Sequence, residues 1–341
     1  MEKVNRNIIV PSASFTVDKK QIKYYSNEKF IPEIGDVVLG EIASIGQHKS
    51  LENKEGRIHK IYRGTKAVFV FGNRYAPDYY EGHIPTEFVE EVDLLARSGL
   101  IGIVKTKSAK VIGPTKVKII GFVCDKEGNR INTKNFPIVK PKKDVKKKKR
   151  AKLILVCGTS MNSGKSQAAA ACCWSLKSLG YNVRGTKVTG TASLKDILLM
   201  NDSGAEKYSD FTYLGYPSTY LIPEKEMIDI FNKLDLKYAN NPNNFWVVEF
   251  ADGINQKETR MLLKSEEVRS RIHKFIFCAA DAFGTIGGLK VLKEEFNLIP
   301  NAISGVCSSS PLHVEELKEF TEIPVFNSMN PDLEKMKKIL L

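Results

Sequence analysis

The stretch that decides the fold of this chain is LILVCGTSMNSGKSQAAAACCWSL, residues 153–176. It begins with a continuous apolar run, as expected of a parallel strand that is covered on both faces. After Gly164 it continues as a predicted helix that ends at Gly180. The intervening GTSMNSGKS, residues 158–166, departs from the common pattern G-x-x-x-x-G-K-[ST]. That pattern would place glycine where this chain has Thr159, and the glycine comes one residue earlier.

The residue types in this loop suit the binding of a phosphate chain. Phosphate is held by backbone N–H groups at a helix N-terminus, by glycine at close approaches and by a cation. Lys165 is placed to reach the β- and γ-phosphates, and the Ser166 hydroxyl is placed to ligate Mg²⁺. The alternative is a chance Gly-Lys-Ser at a helix start. The predicted nucleotide contacts in the loop are Gly158, Thr159, Ser160, Met161, Asn162, Ser163, Gly164, Lys165, Ser166 and Gln167.

Strands and helices alternate through the rest of this half of the chain. The further predicted strands are NVRGTKV, FWVVEF, KFIFCAA, NAISGVC and IPVF. Helical patterns cover residues 164–179, 257–271, 285–296, 312–320 and 331–340. This alternation predicts an α/β fold with a doubly wound, mostly parallel sheet. Such sheets bind ligands beyond the carboxyl ends of their strands, where Lys187 and Glu249 fall.

Five residues separate Gly158 from Gly164, and in this the loop resembles that of dethiobiotin synthetase and its relatives among the SIMIBI-class P-loop NTPases. The resemblance covers residues of about 150–330. It continues in GTKVTGTAS, which contains Lys187, and in VVEFADG, which contains Glu249. The chain looks most like the members that carry this domain behind a separate N-terminal domain. The resemblance implies ATP and Mg²⁺ as cofactors, phosphoryl transfer to a small-molecule acceptor, and a homodimer.

The resemblance also implies roles for individual residues. Lys165, Lys187 and Glu249 would be catalytic, and Ser166 and Glu249 would hold Mg²⁺ together with an acidic residue from the loop after the second strand. The first candidate for that residue is Asp202 and the second is Asp196.

Three further positions carry open alternatives. Relatives place nucleobase contacts where this chain has Ser308 in GVCSSSP, although a plain polar turn is the other interpretation. Asp281 either binds metal or caps the following helix. YPSTY, residues 216–220, either covers the ligand or forms a turn.

The sequence also departs from the family pattern. Phe250 and Ala251 replace a Gly-Ala pair, so the diaminopelargonate substrate is not carried over. Ser160 and Met161 stand where partitioning ATPases have a second lysine, so a lysine acting across a dimer is not expected.

The first half of the chain reads as short strands with turns. GDVVLGEIASIG, KAVFVFGN, LIGIVKTKS and KVKIIGFVCDKEGNRIN are rich in β-formers, and PTEFVEEVDLLARSG has helical periodicity with a glycine stop. We predict a small β-barrel or sandwich. The loop FGNRYAPDYYEGHIP, residues 71–85, is either a binding surface or a cover over the barrel mouth.

We therefore predict a β-rich domain at 1–139, a linker at 140–152 and a P-loop NTPase domain at 153–341. The linker KPKKDVKKKKRAK has nine Lys/Arg and one Asp, or +8 of the total net charge of +13. It either binds nucleic acid or an acidic surface, or is a solvated hinge. No apolar run reaches a membrane-spanning length of roughly 18 residues, and the six cysteines lack C-x-x-C spacing, so a cytoplasmic protein with reduced thiols and no membrane partner is expected.

Overall fold

The computed structural model describes residues 1–5, 7–140 and 149–341, and these form two compact units. Unit 1 comprises Met1–Ile138, Thr191–Lys195 and Phe211–Leu221, and unit 2 comprises Val139–Gly190, Asp196–Asp210 and Ile222–Leu341. The boundaries 1–139, 140–152 and 153–341 stay a prediction. Residues 141–148 of the predicted basic linker lie outside the described residues, and with them the interpretation of that linker.

Unit 1 is built from short strands. They are β1 (Glu2–Lys3), β2 (Tyr24–Ser26), β3 (Val37–Ser44), β4 (Ser50–Glu52), β5 (Ile58–Lys60), β6 (Lys66–Phe71), β7 (Arg74–Tyr75), β8 (Tyr80–His83), β9 (Glu91–Ala96), β10 (Leu100–Lys107) and β11 (Lys116–Cys124). Single turns of 3₁₀ helix lie at Ser12–Ser14, Thr133–Asn135 and Phe211–Leu214. Among these strands β3, β6, β10, β9 and β11 pair in that order, and β11 pairs again with β3. The five strands thus close into a ring, which selects a barrel over a sandwich.

Successive side chains of the barrel strands point alternately to the inside and to the outside of the barrel, and apolar side chains pack on both faces. On β6, Phe69 and Phe71 belong to the interior cluster, whereas Val68 and Val70 belong to a second apolar cluster on the opposite face. That second cluster also contains Ala192 and five side chains of the N-terminal segment, Val4, Val10, Ala13, Val17 and Ile22. The N-terminal residues therefore form a packed layer over the barrel wall.

The helix predicted for residues 85–99 is wrong, because this segment contains β9, which pairs antiparallel with β10. Val92 and Leu94 point into the barrel core. Asp93, between them, is also buried, and its carboxylate accepts from the Val104 N–H at 2.7 Å and pairs with the Lys116 ammonium at 2.8 Å. Because both faces of β9 are buried, apolar residues occur on both faces, and their spacing resembles that of an amphipathic helix. Tertiary packing, rather than the local helix propensity of the segment, decides its structure.

The half-buried His48 makes the stability of unit 1 depend on pH. Burial, with the nearby Arg74 guanidinium, lowers the pKa of His48 from 6.5 to about 4, while its Nε2 lies 3.0 Å from the Leu95 carbonyl oxygen. Because the folded-state pKa lies below the unfolded one, His48 contributes stability above pH 6.5 that is lost as the pH falls through 4. We expect the urea midpoint to fall more between neutral pH and pH 4 in the wild type than in His48→Gln. An identical fall in both proteins would contradict this assignment.

Unit 2 contains a six-stranded sheet and the α-helices of the described chain. Its strands are β12 (Lys152–Gly158), β13 (Val183–Lys187), β14 (Ala205–Asp210), β15 (Phe245–Glu249), β16 (Ile272–Cys278) and β17 (Ala302–Ser304). Its helices are α1 (Lys165–Ser178), α2 (Leu194–Asp202), α3 (Glu224–Tyr238), α4 (Lys257–Lys264), α5 (Glu266–Arg269), α6 (Ala282–Phe296), α7 (Pro311–Lys318) and α8 (Leu333–Leu340), the first two residues of α2 being assigned to unit 1.

The strand order in this sheet is β14-β13-β15-β12-β16-β17, and every pairing is parallel. The α/β fold with a parallel sheet is confirmed. The edge strand β14 was not predicted, and the predicted strand IPVF is reduced to one parallel bridge between Ile303 and Val325.

All six cysteine side chains are buried and free. Burial raises the pKa of Cys172 and Cys173, which are part of the core beneath α1, so packing rather than redox chemistry explains this pair. In the part of the chain that the structure describes, the helices are too short or too polar to cross a membrane.

Candidate functional site

The loop between β12 and α1 has a backbone that requires glycine at its end. Gly164 caps α1 with φ +94°, in the left-handed region, and a Cβ there would lie 2.7 Å from the Gly305 Cα. Asn162 also has a positive φ, of 62°. The helix therefore starts abruptly, with its first N–H groups turned toward the loop.

The displaced glycine of the loop has a steric cause. A Cβ on Gly158 would lie 2.3 Å from the Ser163 Oγ and 2.6 Å from the Cys278 carbonyl oxygen. The next residue, Thr159, donates its N–H to that same carbonyl at 2.9 Å. Glycine is thus needed where the loop crosses the end of β16, and a side chain is accommodated one residue later.

Lys165 lies inside its own loop. It is only 6% exposed, and its Nζ donates to the Ser160 carbonyl oxygen at 2.6 Å and lies 3.5 Å from the Ser163 Oγ. The ammonium group therefore contacts two inner residues of the loop, which surround a single positive charge.

Glu249 ends β15 and is paired with the first turn of α1. The Ser166 hydroxyl donates to its Oε1 at 3.3 Å. The residue is 2% exposed, and among the described residues its Oε2 has no hydrogen-bond partner. Burial raises the pKa of this carboxyl, and the neighbouring Lys187 ammonium opposes that rise. A buried carboxylate oxygen without a partner is costly unless a cation or a donor satisfies it.

Lys187 ends β13 directly beside Glu249 in the parallel register. Its Nζ donates to Asp196 and lies 4.0 Å from the Glu249 Oε1. Burial lowers the pKa of Lys187, but the carboxylates of Asp196 and Glu249 outweigh burial and raise the pKa above its ordinary value. Lys187 is therefore a charged group between two carboxylates.

The structure does not bring Asp202 to this group. Asp202 is the last residue of α2 and is exposed. It shortly precedes β14, whose first residue Ala205 pairs with Val183 at the start of β13. Because α2 runs back from the carboxyl edge of the sheet, its end lies at the opposite edge. Of the two candidates for the acidic loop residue, the structure places Asp196, near the start of α2, beside Lys187 and places Asp202 away from it.

Other predicted positions have local partners. The Ser308 hydroxyl donates to the Gly305 carbonyl oxygen at 2.7 Å, as in a polar turn. That turn adjoins the loop, since the Val306 N–H donates to the Ser163 carbonyl oxygen at 3.2 Å. Gln167 donates to the Ser328 carbonyl oxygen at 3.4 Å. Asp281 caps α6, accepting from the Gly284 N–H at 2.6 Å.

The segment after Glu249 packs on the loop, which sequence reasoning did not predict. The Ile254 N–H donates to the Gly158 carbonyl oxygen at 2.9 Å, and a Cβ on Gly253 would lie 2.2 Å from the Thr159 carbonyl oxygen. Asp252 contributes to the raised pKa of Lys187. The signal for it in the sequence is the Ala-Asp-Gly step at residues 251–253, directly after Phe250.

Two segments singled out from the sequence meet within unit 1. The Tyr220 hydroxyl of YPSTY donates to the Glu81 Oε1 at 3.0 Å, and the rings of Tyr75 and Tyr220 are 5.5 Å apart. The Tyr220 N–H donates to the Ser218 Oγ at 3.2 Å, as in a turn. These tyrosine contacts join residues 216–220 to the loop 71–85.

Neither the family models nor the curated proteins give a match to this chain. Among solved structures, it is similar to the signal recognition particle receptor FtsY from Elizabethkingia anophelis in complex with GDP, with TM-score 0.36 and 10% identity over 61% of this chain and 69% of that one. It is also similar to a ParA family ATPase from Chlorobium tepidum TLS, with TM-score 0.34 and 13% identity over 56% of this chain and 88% of that one. A third similar structure is the signal recognition particle 54 kDa protein from Aeropyrum pernix K1 in complex with GDP, with TM-score 0.33 and 14% identity over 61% of this chain and 50% of that one. The match thus spans half of that protein's length.

These TM-scores are all below 0.5, so the assignment of the fold rests on the geometry of the chain itself. β12 lies between β15 and β16 in a parallel sheet and leads through a glycine-bounded loop into α1. This strand–loop–helix unit, with Lys165 and Ser166 opening the helix, is the arrangement of a phosphate-binding P-loop.

Proposed function

We propose that unit 2 binds ATP with Mg²⁺ and transfers the terminal phosphoryl group to a small-molecule acceptor, as a ligase or a kinase does. The observation that carries the proposal is the buried Oε2 of Glu249, which has no hydrogen-bond partner among the described residues and lies beside Ser166 at the start of α1. The resemblance to the dethiobiotin synthetase-like group supports transfer to an acceptor.

The residues present fit a magnesium ion. Mg²⁺ keeps several waters and takes one or two protein oxygens plus phosphate oxygens, so Ser166 and Glu249 are a sufficient protein contribution. The described residues hold no cluster of three or more His, Cys, Asp or Glu side chains suited to a metal, which agrees with a site that the nucleotide completes. When bound, Mg²⁺ would neutralise charge on the phosphates.

The remaining roles follow from charge and position. The N–H groups at the start of α1 donate to the phosphates, and Lys165 leaves the Ser160 carbonyl to reach them. Lys187, held by Asp196 and Glu249, is the fixed positive charge for the transferring group or for an acidic acceptor. Catalysis of this kind depends on positioning and on charge neutralisation.

Replacement Glu249→Gln tests the metal assignment. It keeps the shape of the side chain and removes its charge, so we expect Mg²⁺-dependent tightening of nucleotide binding to weaken on the order of 10- to 100-fold. Binding measured with excess chelator should change little. Glu206→Gln, at an exposed ion pair on β14, is the matched control. An unchanged Mg²⁺ dependence in Glu249→Gln would argue against this site.

Phosphoryl transfer is tested by following ADP release with and without fractionated small molecules. An acceptor fraction that accelerates ADP release and yields a new phosphorus signal supports the proposal. Turnover that gives only ADP and inorganic phosphate with every fraction contradicts transfer and leaves nucleotide hydrolysis. A parallel series with GTP decides the base, and sedimentation with and without nucleotide tests the proposed homodimer.

A second candidate is a nucleotide-gated binding protein in which ATP controls engagement of nucleic acid or of a protein partner. It is favoured by the path of the chain. In the sequence, the unit 1 segment Thr191–Lys195 directly precedes Asp196 of unit 2, and the unit 1 segment Phe211–Leu221 directly follows Asp210 of unit 2. Retention on DNA or RNA that falls with salt, and that falls again when the linker lysines are replaced, would support it.

A further inference from the structure

Unit 1 contains a cavity of about 530 Å³ that is lined by residues 3–5, 8 and 10 on one side and by residues 19, 20 and 22–24 on the other. Its shape is fixed by backbone pairing. β1 pairs antiparallel with β2, and the Val4 N–H donates to the Lys23 carbonyl oxygen at 2.9 Å. The outer end of the opposite wall is a turn, in which the Gln21 N–H donates to the Asp18 carbonyl oxygen at 2.8 Å. None of the residues that line this cavity was assigned above to nucleotide binding.

The floor of the cavity is apolar and rigid. Val4, Val10 and Ile22 line it and are themselves buried in the cluster that covers the barrel wall. Ile8 also lines it and is partly buried against the same cluster. Side chains that pack into a core on one side present a fixed apolar surface on the other.

The rim is basic. Lys3, Lys19, Lys20 and Lys23 line the cavity, and all four are exposed. Within the described ranges none of these four ammonium groups has an ion pair or a hydrogen bond, and the lining contains no acidic side chain. The nearby Asp18 accepts from the Lys20 backbone N–H through its Oδ1 at 2.8 Å. The rim thus carries positive charge that the neighbouring residues leave largely uncompensated.

We propose that this cavity binds a small amphipathic anion, with a carboxylate or phosphate head among the lysines and an apolar chain or ring on the floor. The cavity volume lies in the range of sites for small ligands, which combine an apolar lining with a few placed polar groups. A neutral apolar molecule would leave the four charges unused, and an inorganic anion would leave the floor uncovered. Only an anion with an apolar body uses both.

Calorimetric titration with four probes tests the proposal on the full chain. Octanoate and octyl phosphate supply the two heads on one tail, 1-octanol supplies the tail alone, and inorganic phosphate supplies a head alone. We expect saturable binding of octanoate, octyl phosphate or both at one site per chain, at least tenfold tighter than either partial probe. The preferred head identifies the source as a carboxylic acid or a phosphate ester.

Two variants locate the binding. Lys19→Glu combined with Lys23→Glu should weaken the preferred probe at least tenfold, whereas Lys118→Glu, an exposed lysine of β11 in the same unit, should not. Ile8→Trp should fill the floor and abolish binding while the circular dichroism spectrum is retained. Equal binding of 1-octanol, no binding of either amphipathic probe, or binding that survives the double lysine replacement would overturn the proposal.

Discussion

Replacing Lys165 with alanine is expected to lower the rate of nucleotide turnover on the order of 100-fold or more, with the fold retained. In the proposed function this ammonium group, which is 6% exposed, is the loop's own cation for the phosphates. Charge that develops on a transferring phosphoryl group is stabilised most by charges already in place, because a water-poor site screens them little. ADP release under saturating ATP and Mg²⁺ measures the effect.

Retention of the fold follows from the partners of Lys165. Among the residues that the structure describes, its Nζ bonds only within its own loop, to Ser160 and Ser163, so the substitution should leave the thermal transition close to that of the wild type. Lys177→Ala, on the exposed end of the same helix, controls for loss of a lysine. Turnover in Lys165→Ala that matches the wild type would refute a phosphoryl-transfer role for this loop.

Replacing Trp246 with alanine is expected to lower the free energy of unfolding of unit 2 by about 3–5 kcal/mol. Trp246 is fully buried on β15, three residues before Glu249, and its ring lies 5.7 Å from that of Phe231. The substitution leaves a large cavity in the central strand and also removes an indole N–H that donates to the Thr186 Oγ1 at 2.8 Å. Urea unfolding followed by circular dichroism measures the loss.

Trp246→Phe separates the two contributions. It keeps most of the ring and removes the hydrogen bond, so its cost should be close to that of one buried hydrogen bond, about 1 kcal/mol, plus a small cavity. The second tryptophan of the chain, Trp174 on α1, is 42% exposed and is the one left once Trp246 is replaced. Tryptophan fluorescence would then report the surface of α1, so circular dichroism is the better probe of unfolding. If Trp246→Ala cost no more than Trp246→Phe, packing around β15 would not be the source of stability.

The strand–loop–helix and the parallel sheet are predictable because their signals are local. An apolar strand followed by Gly-Lys-Ser can be predicted without knowledge of distant contacts. The carboxyl end of such a strand can be predicted from the position where its apolar run stops. Lys187 and Glu249 lie at such strand ends, and the register of β13 with β15 sets them side by side.

The failures come from distant contacts. Asp196 and Asp202 lie six residues apart on one helix, and only the direction of α2 decides which one meets Lys187. β9 imitates a helix because both of its faces are buried by other strands. The closure of the barrel depends on β11 returning to β3, a pairing between residues far apart in the sequence.

The division of the chain has a consequence for anyone who wishes to separate its halves. Thr191–Lys195 and Phe211–Leu221 belong to unit 1, although they follow the P-loop in sequence. Ala192 packs in the cluster over the barrel wall, and Thr133 donates to the Gly215 carbonyl oxygen at 2.7 Å. A cut within 140–152 would strip unit 1 of both segments and leave unit 2 with two loops lacking their apolar support. The two halves of the sequence are therefore not independent modules. A truncated protein that ends or begins within 140–152 should not be expected to fold as either unit does in the full chain.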